Sequence, residues 1–118
     1  MNNYTSTTEI PIIKKLYDLY KTYYDYQTLF SKRDKYALGS KCEQYIFSTF
    51  ELILAASSAA KQNKMTLIQQ ANVKFDTLKV LFRLAKDLKM LDIKKYTVIQ
   101  GYLQEIGRML GGWQRSLI

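Results

Sequence analysis

Histidine is missing from this 118-residue chain, and cysteine occurs once, as Cys42. Imidazole or thiolate metal cages and histidine-based nucleophilic triads therefore cannot be assembled within one chain. Five glycines are present, but none builds a phosphate-cradling loop. No catalytic residue, metal site or cofactor is expected, so the chain does not read as an enzyme. One unpaired cysteine also argues against a secreted disulfide scaffold and suits a reducing cytoplasm; Cys42 reads as core filler. The only proline is Pro11, near a helix start, where its missing N–H costs no intrahelical bond. No uninterrupted apolar run approaches the roughly eighteen residues of a membrane span. Residues 1–9 lack the basic and apolar regions of a secretory signal. They read as a flexible segment before a single domain over residues 10–118, in a soluble protein without a membrane partner.

What is present is apolar and basic. Hydrophobic residues make up 47% of the chain, enough to build one core without a partner. Formal charge is +8, which favours polyanions as partners and says nothing directly about fold. The charge is uneven: residues 1–62 hold eight Lys/Arg against six Asp/Glu, and residues 63–118 hold ten against four. Most of the positive field belongs to the second half.

Hydrophobic spacing predicts four helices. The first spans about 10–30, with Ile13, Leu16, Tyr20, Tyr23 and Phe30 on one stripe. Ser31, with Asp34 three residues on, supplies an N-cap and a first-turn acid for a second helix over about 32–60. Its stripe is Leu38, Cys42, Tyr45, Thr49, Leu52, Ala56 and Ala59. Residues 61–64 read as a polar break, and Thr66 with Gln69 as the capping box of a third helix reaching about Leu91. Asp92 caps the fourth, where Tyr96, Ile99, Leu103, Ile106, Leu110 and Trp113 alternate threes and fours without a gap. Gly111 and Gly112 bring flexibility near its end, although Trp113 continues the stripe. Short connections make the expected fold all-α: an antiparallel up-down four-helix bundle.

On the third helix, Leu78, Leu81, Ala85 and Leu88 share a side, and Lys79, Arg83 and Lys86 fall opposite them. On the fourth, Lys94, Arg108 and Arg115 lie away from the seam of Tyr96, Leu103 and Leu110. Merged, the two stripes make a positive surface that holds phosphates with steep salt dependence and little sequence discrimination. The plainer reading is that cations simply occupy a wet face. Tyr17, Tyr20, Tyr23, Tyr24 and Tyr26 present the same choice, between stacking on bases and facing a core or a subunit interface. Their number favours a buried inter-subunit surface. Gly107 and Gly111 share a face that lets another helix approach. Asp87 sits among cations and Glu105 within reach of Arg108, and ion pairing accounts for both.

The run Phe82-Arg83-Leu84-Ala85-Lys86-Asp87-Leu88, then Tyr96, then Glu105-Ile106-Gly107-Arg108-Met109-Leu110-Gly111-Gly112-Trp113 carries a family pattern. So does the start, Ile10-Pro11-Ile12 with Tyr17. The pattern resembles the four-helix-bundle family that includes the accessory variability determinant (Avd) proteins of diversity-generating retroelements. The same family includes the proteins encoded in intervening sequences of bacterial large-subunit ribosomal RNA. The segment from Glu105 to Trp113 is the most specific part, and the tyrosine-rich first helix departs from members that are often charged there. The resemblance implies a homopentameric barrel with a basic surface for RNA or DNA and a reverse transcriptase partner. It carries that role to Arg83, Lys86 and Arg108, and helical geometry adds Lys79.

The leading expectation is therefore a non-catalytic nucleic-acid-binding accessory protein acting with a reverse transcriptase in mutagenic retrohoming. Its contacts with nucleic acid are expected at Lys79, Arg83, Lys86, Lys94, Arg108 and Arg115. Alternatives are a ribosomal-RNA intervening-sequence protein of the same fold and a purely structural homo-oligomerisation module.

Overall fold

A computed structural model of the chain describes residues 9–118. Residues 1–8 of the expected flexible segment lie outside the described residues, and Glu9 is already the first residue of a helix. Helix α1 is Glu9–Gln27. Helix α2, residues 32–58, is continuous but not uniform, with α-helical Lys32–Asp34, π-helical Lys35–Gly39 and α-helical Ser40–Ser58. Helix α3 is Lys61–Asp87 and α4 is Ile93–Ser116. No strand occurs among the described residues.

Each helix touches its chain neighbours, and α4 also packs on α1, which closes a four-membered bundle. Polar and aromatic contacts give the directions. Tyr20 meets Glu43 and Phe47, while Tyr23 meets Gly39. Between α2 and α3, Lys74 lies over Tyr45, and Lys64 reaches Ala56. Between α1 and α4, Lys15 pairs with Glu105 and Thr22 bonds Tyr102. In every case numbers rise on one helix as they fall on the other, so adjacent helices run antiparallel. The longest axis is 43 Å, about the length of the 27-residue α3 at 1.5 Å per residue.

The core follows the apolar spacing with a small rotation of the first two helices: Tyr20, Phe30, Leu38, Tyr45 and Leu52 of the expected stripes are only half-buried, and Leu19, Ile46 and Ile53 fill the interior instead. Ile12, Leu16, Leu19 and Tyr23 of α1 are buried, as are Cys42, Ile46, Ile53 and Ala56 of α2. Helix α4 buries Ile99, Leu103, Ile106, Leu110 and Trp113, the expected seam apart from half-buried Tyr96, and runs through Gly111 and Gly112 to Ser116. Large side chains such as Phe75 and Phe82, buried on α3, contribute roughly 1.5–3 kcal/mol each.

Two caps form as expected. Ser31 Oγ accepts from the Asp34 amide at 3.1 Å, and Asp92 Oδ1 accepts from the Lys95 amide at 2.8 Å. The expected start of the third helix is wrong. Thr66 lies inside α3, and the residues read as a polar break form its first turn. Ala60, with no side-chain acceptor, is the N-cap, because Ala59 and Ala60 both adopt extended backbone and turn the chain in two residues. Lys64 secures the corner by donating to the Ala56 carbonyl at 2.7 Å and the Ser57 carbonyl at 3.2 Å.

Helices one and three also end earlier than periodicity predicts. After Gln27 the chain tightens into i→i−3 bonds, including Leu29 N to Tyr26 O at 3.0 Å, which lay the Phe30 ring edge-on to Tyr23. Helix α3 stops at Asp87, where Lys89 turns with φ 63° and the Met90 amide closes back on Ala85 O at 2.9 Å.

Candidate nucleic-acid interface

The interface expected from sequence lies where α3 meets α4. Three contacts set the register of this pair. Asn72 donates to Gln114 Oε1 at 2.8 Å, a β-carbon placed on Gly107 would lie 3.6 Å from Phe75 Cε2, and Lys86 Nζ sits 5.2 Å from the Tyr96 ring centroid. Gly107 thus faces α3 of the same chain at an ordinary contact distance, whereas among the described residues a β-carbon on Gly111 would meet only Arg115 of its own helix, so the close approach expected at this pair of glycines is not made within the chain.

Helix α3 does not present its cations directly away from the core. Its buried side is Ile68, Ala71, Phe75, Leu78, Phe82 and Ala85, whereas Leu88 is exposed and Leu81 half-buried. The inward direction is therefore rotated toward the basic stripe. At 100° per residue Lys79, Arg83 and Lys86 flank the seam on the side facing α4, and Lys86 is half-buried against Tyr96. Burying two phenylalanines on the inner side fixes this rotation, because exposing either loses more than half-burying a lysine stem, whose charged end still reaches water.

On α4, by the same geometry, Arg108 points almost directly away from the buried seam of Ile99, Leu103, Ile106, Leu110 and Trp113, and Arg115 lies beside that direction, slightly toward α3. With the antiparallel register, Arg115, Arg108, Lys79, Arg83 and Lys86 follow one another in level along the outer surface of the α3–α4 pair. Lys94, in the first turn of α4, also faces outward but is turned to the α1 side of Arg108 and lies beyond the Lys86 end of the row.

Acids do not cancel the row. Lys79 pairs with Asp76 at 3.1 Å and Lys86 with Asp87 at 3.7 Å. Such solvent-facing pairs are worth little and exchange readily for a phosphate. Arg83 and Arg108 are exposed, and neither enters an ion pair among the described residues. Glu105 turns away from Arg108 and pairs with Lys15 of α1 at 3.0 Å. That bond is the main cause that raises the Lys15 pKa above the ordinary lysine value. Arg108 is thereby left without an ion-pair partner among the described residues.

A second basic region was not anticipated. Up-down packing puts the α1–α2 and α3–α4 connections at one end of the bundle, where Lys32, Arg33, Lys35, Lys89 and Lys95 gather beside Lys86 and Lys94. Asp25, Asp34, Asp87 and Asp92 offset part of this charge. Lys95 joins the two connections by pairing with Asp92 at 3.0 Å and lying 5.9 Å from the Tyr26 ring centroid. The signal was available, because an up-down bundle necessarily brings alternate connections together.

The five tyrosines of α1 divide. Tyr23 is buried, Tyr20 and Tyr26 are half-buried, and Tyr17 and Tyr24 are exposed. Among the described residues, no helix is long and apolar enough to cross a membrane, and no cluster of acids and cysteine has metal-holding geometry.

No curated protein matches the sequence. The bAvd-like family model matches residues 10–117, nearly the whole chain, and the protein therefore belongs to the bAvd-like family.

Proposed function

We propose that this protein is a cytoplasmic, non-catalytic accessory factor of a diversity-generating retroelement that holds RNA or DNA for a partner reverse transcriptase during mutagenic retrohoming. The observation that carries this reading is the pair of arginines, Arg83 and Arg108, exposed on adjacent antiparallel helices and free of acidic partners among the described residues. Family membership supports the accessory role. A row of five cations on the outer surface of two adjacent helices suits a phosphate backbone, because each neutralised phosphate releases counterions whatever the base sequence.

Homo-oligomerisation, as the pentamer implied by the family resemblance, belongs to the same proposal. Helix α3 carries a second apolar ridge on its outer side, Val73, Val80, Leu84 and Leu88, between 43% and 66% exposed. The α1–α2 side offers a different exposed face, Tyr17, Tyr24 and Phe47, bordered by Asp25 and Glu51. Two unlike apolar faces on one chain favour a head-to-tail contact, which closes into a ring when the rotation permits.

The test is titration of labelled single-stranded RNA and duplex DNA at two salt concentrations, with the mass of the assembly measured in parallel. Engagement of all five cations of the row gives log–log salt slopes of roughly −3.5 on a single strand and −4.5 on a duplex. Arg83→Glu with Arg108→Glu should flatten the slope by about two or more and weaken binding at least tenfold without changing the mass. Unchanged affinity and slope in that variant would instead identify a structural oligomerisation module. A neighbouring gene for a reverse transcriptase with a variable repeat separates the retroelement role from the ribosomal intervening-sequence alternative.

A further inference from the structure

Where α1 ends and α2 begins, the bundle holds a cleft of about 330 Å³ lined by Tyr24, Gln27, Lys35, Tyr36, Ser40 and Glu43, among others. Its wall is built from irregular helix, since the segment Lys35–Gly39 is π-helical, a form that concentrates at functional sites. Gly39 is required there, because a β-carbon on it would come within 2.9 Å of the Asp34 carbonyl oxygen and 3.2 Å of Phe30. Tyr23 pins the segment by donating to the Gly39 carbonyl at 2.7 Å.

The chemistry facing the cleft is specific. Tyr20 donates to Glu43 Oε2 at 2.7 Å, which orients the carboxylate and leaves lone pairs on both oxygens. Glu43 enters no ion pair among the described residues, and neither does Lys35 at the cleft. Tyr36 is 70% exposed, and among the described residues its side chain has no ring or hydrogen-bond partner. Tyr24 lines the other side from α1, and among the described residues its one ring–ring contact is with Tyr20, with centroids 6.1 Å apart.

We propose that this cleft captures a single unstacked nucleobase, with Tyr24 and Tyr36 offering ring faces, Glu43 accepting from the base edge and Lys35 holding the attached phosphate. The volume lies at the lower end of ligand pockets, enough for one base and not for a stacked run. Aromatic faces bind any base, so choice falls to the carboxylate. Guanine offers N1–H and its 2-amino group together, whereas cytosine and adenine offer one amino group. Uracil offers one N–H between two carbonyls that repel a carboxylate. The expected order is guanine, then cytosine and adenine, then uracil. The cation of Lys35 disfavours a guanidinium occupant from a protein partner.

The site rests on the nucleic-acid reading above but uses other residues, on α1 and α2, so each can fail alone. Equilibrium dialysis of the full chain with GMP, AMP, CMP and UMP provides the test, using wild type, Tyr36→Ala, Glu43→Gln and Arg83→Glu, with the mass of every variant measured. GMP should bind about tenfold more tightly than UMP. Glu43→Gln, which still accepts from Tyr20, should erase that preference, and Tyr36→Ala should weaken all four nucleotides about tenfold. Arg83→Glu should leave mononucleotide binding intact while polynucleotide binding falls. Equal binding of all four that ignores Glu43→Gln, or no binding at all, overturns the site. Capture of acetyl-arginine amide in place of GMP also overturns it, in favour of a peptide. GMP binding without polynucleotide binding keeps the cleft and removes the cation row.

Discussion

The Tyr23 hydroxyl on α1 donates to the backbone carbonyl of Gly39 on α2 at 2.7 Å, and both residues are buried. The same tyrosine ring meets Phe82 of α3 edge-on, with centroids 5.4 Å apart, so one side chain joins three helices. Tyr23→Phe keeps the ring contacts and removes the bond, and should cost about 1–1.5 kcal/mol in urea unfolding. Gly39→Ala should cost more, because backbone at Asp34 must shift. A Tyr23→Phe protein as stable as wild type would show that the bond anchors nothing.

Stability should fall on the alkaline side. Burial pushes the Cys42 thiol up to about 12 and, with the Glu43 hydrogen bond, the Tyr20 hydroxyl up to about 12, and drives Tyr23 upward still more strongly. Unfolded cysteine and tyrosine ionise near about 8.5 and 10. These folded-state values are raised, so the associated stability is complete below the unfolded values and is lost as pH climbs toward the folded ones. Denaturant midpoints should decline from about pH 8.5 and more steeply above about 10, with the early decline reduced in Cys42→Ala.

Inaccessibility of that thiol gives a separate check. Cys42 has no solvent exposure, so an aromatic disulfide reagent should react with it only through opening of the bundle. Labelling should be slow in native buffer and accelerate in step with unfolding as urea is added. Immediate labelling of the native protein would contradict the packing around α2.

Asp92 gives the acid-side counterpart. The Lys95 amide, then the Lys95 side chain, hold its carboxyl below the ordinary aspartate value. A depressed folded value means that the stabilisation is present above about pH 3.9 and is lost as pH falls below it. Asp92→Asn preserves the cap and should soften the decline in Tm between pH 5 and 3, in part only because Asp18, held low chiefly by Lys14, titrates there too. Ser31→Ala, at a cap that does not titrate, should lose about 1 kcal/mol equally at every pH in that range.

Lys89 occupies a left-handed backbone position, φ 63°, immediately beyond the Leu88 cap of α3. Such conformations cost a residue with a β-carbon about 1–2 kcal/mol, offset in a glycine replacement by the greater freedom of the unfolded chain. Lys89→Gly should therefore raise stability by about 0.5–1 kcal/mol. A loss of stability would mean that the lysine side chain makes a compensating contribution at the basic end.

Local chemistry and periodicity made the helices themselves legible. Ser31 and Asp92 each reach an amide three residues ahead, a geometry that needs no knowledge of the rest of the chain, and the α4 seam from Tyr96 to Trp113 is a single unambiguous stripe. Those features, with the missing histidines and the positive second half, were determined by the sequence alone. Helix α3 was harder because it carries two apolar stripes, Phe75, Leu78 and Phe82 inward and Val73, Val80 and Leu84 outward. Periodicity says that such a helix has apolar faces but not which one the other three helices cover. Packing made that choice, turned Lys79, Arg83 and Lys86 toward α4 and separated Lys94 from them. It also gave Glu105 to Lys15, ninety residues away, and opened the cleft beside the π-helical turn. These are relations between distant segments, and they exist only after the chain has paid the entropy of bringing its helices together.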